Sequence, residues 1–289
     1  MVDVPQLHFP SAYLLPTAPL VFAQSVEMPD GAAIATFAHA PAEKSLPEAL
    51  AQGLSPVLLL HGNGEEHGIF GPTIDALCEA GHTVVAIDSR AQGRSTRGTA
   101  PLTYELMAAD ALAALDHLGI AAAHVVGFSD GAIEGLLIAR DHPERALSLL
   151  SIGANLTPDG VDDSFEMEAI ADRLSGWVTY WTEGEGAEKS VDAALLNPPL
   201  DEAARTAELL RLMVVEPQID AASLNVISCP TTVMAGEFDE IDRAQTDLIF
   251  RSIPGATLQI VEGCGHTLPK EAPERVSEAA LEVIARAGA

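Results

Sequence analysis

The sequence predicts an α/β protein: a mostly parallel sheet flanked by helices, with a helical insertion late in the chain. Three observations predict it. Short apolar runs that read as strands buried on both faces alternate with segments of helical periodicity. Several of those strands stop abruptly at glycine-rich or acidic turns. From Asn155 to about Leu224 the alternation ceases and only helical periodicity remains. Repeated strand-helix alternation implies parallel neighbours with helices on both faces, and ligands then gather at the C-terminal ends of the strands.

The elements follow in order. Ser25 to Pro29 and Ala32 to Ala38 are joined at Asp30-Gly31, a hairpin dipeptide, so the chain begins antiparallel. Pro41 to Gly53 reads as a polar connector. Pro56 to Leu60 is the first doubly buried strand, and it ends at His61-Gly62-Asn63-Gly64. A helix over Pro72 to Ala80, closed by Gly81, leads to a strand from Thr83 to Ile87 that ends at Asp88. Leu102 to Leu118 has helical spacing, with Thr103 as its N-cap and Gly119 as its stop. His124 to Gly127 is a strand followed without a linker by a helix from Asp130 to about Asp141. Leu147 to Ile152, Thr232 to Ala235 and Leu258 to Val261 complete the strands, with helices over Arg243 to Ser252 and Pro273 to Ala287. The division expected is a core of residues 1–154 and 225–289 with an inserted helical cap at 155–224, in which Glu183 to Glu188 is a solvated turn.

Composition narrows the function classes. With 289 residues, 48% of them hydrophobic, the chain can bury a sizeable core. A net charge of −27, from 42 acidic and 15 basic residues, argues against nucleic acid or an anionic membrane surface as partner. No apolar run reaches membrane-spanning length, and Pro16 and Pro19 break the most apolar early stretch, so a cytoplasmic location is the expectation. Cys78, Cys229 and Cys264 are too few and too scattered for a disulfide framework or a zinc site. His8, His39, His82, His117, His124 and His142 lack metal-ligand spacing, so neither metal nor cofactor is expected.

The sharpest motif is Gly127-Phe128-Ser129-Asp130-Gly131, a G-x-S-x-G set directly between strand and helix. A turn this tight holds serine in strained backbone angles and needs neighbours without Cβ atoms. A serine hydroxyl is a weak nucleophile until a base takes its proton, so the motif calls for partners. They follow in the order acid, then histidine: Asp239 after the strand Thr232 to Ala235, and His266 after the strand Leu258 to Val261. Glu237, Glu240 and Asp242 are rival acids close by. Acyl transfer also needs donors for the developing oxyanion; the backbone N–H of Asp130 is one, and the turn after His61 offers the second at Asn63. The His61 side chain is expected to brace that loop.

With these motifs in register, the chain resembles the α/β-hydrolase superfamily over nearly its whole length. His61-Gly62-Asn63-Gly64, Asp88 to Ser95, the Ser129 elbow, and Gly236 to Asp239 followed by Gly265-His266 carry the resemblance. In the family the second motif more often reads Asp-x-Arg-Gly-x-Gly-x-Ser, and Ala91 stands here for the first glycine. The resemblance implies Ser129 as nucleophile, His266 as general base and Asp239 as orienting acid. It argues against dehalogenases and epoxide hydrolases, which place aspartate at the elbow. Ester or thioester hydrolysis of a small acyl substrate comes first; carbon–carbon bond hydrolysis, acyl transfer and a non-catalytic ligand-binding role remain open. Trp177, Tyr180 and Trp181 in the insertion read as cap core or, alternatively, as the wall of an acyl pocket.

Overall fold

The computed structural model describes residues 13–161 and 164–288. Among them eight strands form one sheet: β1 (Leu20–Glu27), β2 (Ala33–His39), β3 (Leu54–Leu60), β4 (His82–Ile87), β5 (Ala123–Phe128), β6 (Ala146–Ile152), β7 (Thr231–Gly236) and β8 (Thr257–Val261). Their spatial order is β1-β2-β4-β3-β5-β6-β7-β8. The opening hairpin is antiparallel, with Glu27 opposite Ala33, and β2 runs antiparallel to β4. From β4 to β8 every neighbour is parallel. His8 lies outside the described residues.

Strand β3 is buried on both faces because its side chains alternate between two cores. Leu58 and Leu60 join Val85, Ile87 and Val125 under α3 (Tyr104–His117) and α4 (Asp130–Asp141). Val57 and Leu59 join Val84, Ala86 and Val126 under α2 (Gly71–Glu79) and α9 (Pro273–Ala287). Burying each such aliphatic side chain contributes about 1.5–3 kcal/mol, which explains why these strands read as unbroken apolar runs. Register then sets the site: Leu60 lies opposite Ile87 on one side and Gly127 on the other, so the turns after β3, β4 and β5 open side by side.

The connector at residues 41–53 holds more structure than its composition suggested. It contains a helix, α1 (Leu46–Gln52), started by a capping box in which the Glu48 carboxylate accepts the Ser45 N–H at 3.1 Å. At seven residues the helix is short, with Leu46 and Ala49 turned inward, and the capping box is its clearest local mark. Toward the C-terminus lie α7 (Arg243–Ser252) and a short helix, α8 (Leu268–Glu271), ahead of α9.

Between β6 and β7, neighbours in the sheet, the chain departs for α5 (Ser164–Thr182) and α6 (Leu200–Val215). These two pack together through Ala171, Leu174, Trp177, Ala203 and Ala207. Leu209 and Leu212 of α6 belong instead to the core beneath α3 and α4, so α6 anchors the insertion to the sheet domain. Glu183, Glu185 and Glu188 are exposed in the turn after α5. No helix among the described residues is long and apolar enough to cross a membrane.

Candidate active site

Ser129 occupies the single residue between β5 and α4, with φ 53° and ψ −119°. Such a backbone costs a non-glycine residue on the order of 1–3 kcal/mol, and the surroundings hold it in place. The Ser129 N–H donates to the Ile152 carbonyl at 2.8 Å, while its own carbonyl accepts the N–H groups of Ala132 and Ile133. The flanking glycines are required by space: a Cβ on Gly127 would lie 2.1 Å from the Gly131 oxygen, and one on Gly131 would lie 2.2 Å from the Leu60 oxygen.

Turns after β5, β7 and β8 bring the three side chains expected from the sequence into one chain of hydrogen bonds. His266 Nε2 is 3.0 Å from Ser129 Oγ, and His266 Nδ1 is 2.6 Å from Asp239 Oδ1. Because a carboxylate can only accept, Nδ1 carries the proton and Nε2 faces the serine as a lone pair. Burial by itself would lower the imidazole pKa; the hydrogen bond and charge of Asp239, with Glu240 and Asp130 farther off, outweigh it and raise the value. Asp239 is held by the Ile241 N–H at 3.0 Å.

The rival acids have other partners. Glu237 accepts the Gly263 N–H at 2.9 Å, and Asp242 caps α7 by accepting the Ala244 N–H at 2.9 Å. Glu240 lines the cavity beside Ser129.

Asp130 starts α4, and Asn63 sits in the turn after β3. Among the described residues neither backbone N–H has an acceptor, which leaves both free for a developing negative charge. Their side chains meet: Asn63 Nδ2 donates to Asp130 Oδ2 at 2.9 Å and to the Leu209 carbonyl at 3.3 Å. Tyr104 Oη donates to the other Asp130 oxygen at 2.8 Å. Burial pushes the Asp130 carboxyl up to about 6 against the opposing pull of these two donors. His61 braces its loop by accepting the Ser89 N–H at Nε2 and donating from Nδ1 to the Gly62 carbonyl, each at 2.8 Å.

A small cavity of about 50 Å³ lies beside Ser129 and His266, walled by Val161, Met167, Met213 and Ile241 with Tyr104, Asn155, Glu216 and Glu240. Trp177, Tyr180 and Trp181 are not among its lining residues, so of the two readings it is cap core that their packing matches. Trp177 is 4% exposed within the α5 and α6 core, and its Nε1 donates to the Pro198 carbonyl at 3.0 Å. Trp181 stacks edge-on between Trp177 and Tyr180, with centroids 5.7 and 5.2 Å away. Large aromatics are drawn to the apolar seam that the two helices share. The residues that do form the wall carried no sequence signal: Tyr104 reaches Asp130 across 26 positions, and Glu216 meets Tyr104 across 112.

Glu66, His67 and Asp88 bring three possible metal-ligand atoms within 4.8 Å of one another. The Asp88 carboxylate is already engaged by His67 Nδ1 at 2.7 Å and by the N–H groups of His67 and Arg94. The cluster is satisfied as a brace for the turn after β4.

A family model described as alpha/beta hydrolase fold matches residues 55–198. Among curated proteins, the carbamate hydrolase RutD named for Caulobacter vibrioides is 39% identical over 108 residues, 37% of this chain and 40% of that protein. Rhodomycin D methylesterase DnrP of Streptomyces peucetius is 44% identical over 90 residues, 30% of each chain. The chain thus spans less than half the length of these relatives. A solved thermophilic esterase from Thermogutta terrifontis superposes with a TM-score of 0.68 at 23% identity, over 94% of this chain and all of that one.

Proposed function

The chain belongs to the α/β-hydrolase superfamily, and from that premise we propose that it hydrolyses small carboxylic esters or thioesters through an acyl-enzyme on Ser129. The observation that carries the reading is the continuous path from Ser129 Oγ through His266 to Asp239, at 3.0 and 2.6 Å.

His266 Nε2 takes the Ser129 proton as Oγ attacks the acyl carbon, and Asp239 stabilises the imidazolium that forms. The backbone N–H groups of Asn63 and Asp130 receive the oxyanion of the tetrahedral intermediate. As that intermediate collapses, His266 returns the proton to the departing alcohol or thiol. Water activated by the same imidazole then attacks the acyl-enzyme and releases the acid. Residues 155–224 act as a cap whose α6 side closes the cavity over the acyl group. The names of the relatives, a carbamate hydrolase and a methylesterase, support cleavage at an acyl carbon.

The test is labelling by an activated fluorophosphonate, with the adduct mapped by mass spectrometry, alongside turnover of short-chain 4-nitrophenyl esters. Both are expected in the wild type, with the adduct on Ser129. Ser129→Ala should lose both, the rate falling by about 10⁶. Turnover of Ser129→Ala near the wild-type rate would refute the assignment.

A further inference from the structure

The cavity beside Ser129 is electrostatically one-sided. Asp130, Glu216 and Glu240 line it, and no Lys or Arg does. The Asp130 carboxyl has both oxygens engaged, by Tyr104 and Asn63. Glu216 and Glu240 have no basic side chain in ion-pair contact among the described residues, although eleven contacts elsewhere pair Arg or Lys with a carboxylate.

Glu216 is the more telling of the two. It is the C-cap of the 16-residue α6, so the carbonyl end of that helix adds its partial negative charge to the side chain's own. One carboxylate oxygen, Oε2, accepts the Tyr104 N–H at 3.1 Å; Oε1 has no hydrogen-bond partner among the described residues. Burial pushes the carboxyl up, and the Tyr104 N–H opposes this. Beside these acids, Tyr104 and Asn155 the wall carries four apolar side chains, Val161, Met167, Met213 and Ile241. A half-buried carboxylate on an apolar wall is disfavoured unless a cation faces it. Methionine and isoleucine surfaces suit the methyl or methylene groups around an organic ammonium, and their low polarity strengthens its attraction to the acid.

We infer that this cavity selects substrates that carry an organic ammonium group near the scissile carbonyl, with Glu216 as the residue that discriminates for it. The inference rests on Ser129 being the site of acyl transfer only in fixing where the cation lies relative to the reacting bond. An anionic substrate would meet like charge from Glu216 and Glu240.

Choline and 3,3-dimethylbutan-1-ol share a shape and differ in charge, so calorimetry on the full-length Ser129→Ala protein isolates the charge preference without turnover. Choline should bind about tenfold more tightly than the neutral alcohol. Adding Glu216→Gln, which keeps an oxygen for the Tyr104 N–H, should reduce the preference to within about twofold. Glu144→Gln, an exposed acid just before β6 at the N-terminal end of the parallel strands and so opposite the site, should leave it unchanged and so controls for net charge. If Glu216→Gln does not fold, Glu240→Gln should lower the preference by a smaller factor. No choline binding, equal affinities, or a preference untouched by both substitutions would overturn the inference. Wild-type hydrolysis of 3,3-dimethylbutyl acetate is read separately. Turnover without cation preference overturns this inference alone, while cation preference without turnover overturns the acyl-enzyme reading alone.

Discussion

Asn63 and Asp130, whose backbone N–H groups both lie free beside Ser129, are joined through their side chains by a 2.9 Å hydrogen bond. The turn after β3 and the start of α4 are thereby locked to each other, and Tyr104 holds the same carboxyl from α3. In the proposed reaction such a brace fixes the spacing of the two N–H donors that both reach one oxygen. Asn63→Ala should therefore lower kcat by about 10- to 100-fold with a smaller change in KM, because only the transition state carries the oxyanion. Steady-state kinetics on a short-chain ester check this. An unchanged kcat would mean that the backbone alone sets the donor spacing.

Asp239→Asn should lower kcat by roughly 10⁴, whereas Glu237→Gln and Asp242→Asn should act mildly, since those acids accept backbone N–H groups elsewhere. A pH profile adds a second readout. The base works only when neutral, so activity falls as pH drops through the His266 pKa, which the net effect of Asp239 places above the ordinary imidazole value. Removing the carboxylate should move that acid limb to lower pH. A limb that stays in place would assign the titration to another group.

Asp130→Asn should stabilise the fold at neutral pH. The folded-state pKa of Asp130 is raised from 3.8 to about 6 by burial, so the folded chain holds its proton more tightly than the unfolded chain does. For this group, stability is greatest below the unfolded value and is lost as pH rises through about 6, by an amount on the order of 3 kcal/mol. Asparagine keeps an acceptor for Asn63 and removes the buried charge. Denaturant melts at pH 4 and pH 8 should show a smaller difference for the variant, with its gain confined to the higher pH. Equal pH dependence in the two proteins would show that Asp130 is not the group responsible.

Ala91→Gly should also stabilise. Ala91 is buried and sits at φ 65°, a left-handed conformation that costs an L-residue about 1–2 kcal/mol, partly offset by the greater freedom glycine has in the unfolded chain. The expected net gain is about 1 kcal/mol, read as a higher denaturation midpoint with activity retained. Destabilisation would mean that the Ala91 methyl contributes more packing than the backbone strain removes.

The sequence by itself determined the sheet, most of its connections, and the three turns whose Ser129, Asp239 and His266 side chains the fold brings into one chain of hydrogen bonds. Doubly buried strands must be written as apolar runs, and a nucleophile turn admits few residue types, so both leave local marks. The start of the helix at Asp130 was legible because strand, turn and helix follow one another without a linker, and its end was expected at about Asp141. Tertiary structure alone decided what surrounds those three residues. Trp177 and Trp181 read first as cap core and second as a pocket wall, and the packing of α5 on α6 places them in the seam between those helices. Tyr104 and Glu216 reach the cavity from distant parts of the chain, and Asn63 meets Asp130 across 67 positions. Such contacts depend on how whole elements dock, and docking is set by the summed burial of many side chains, so no short stretch of sequence records it.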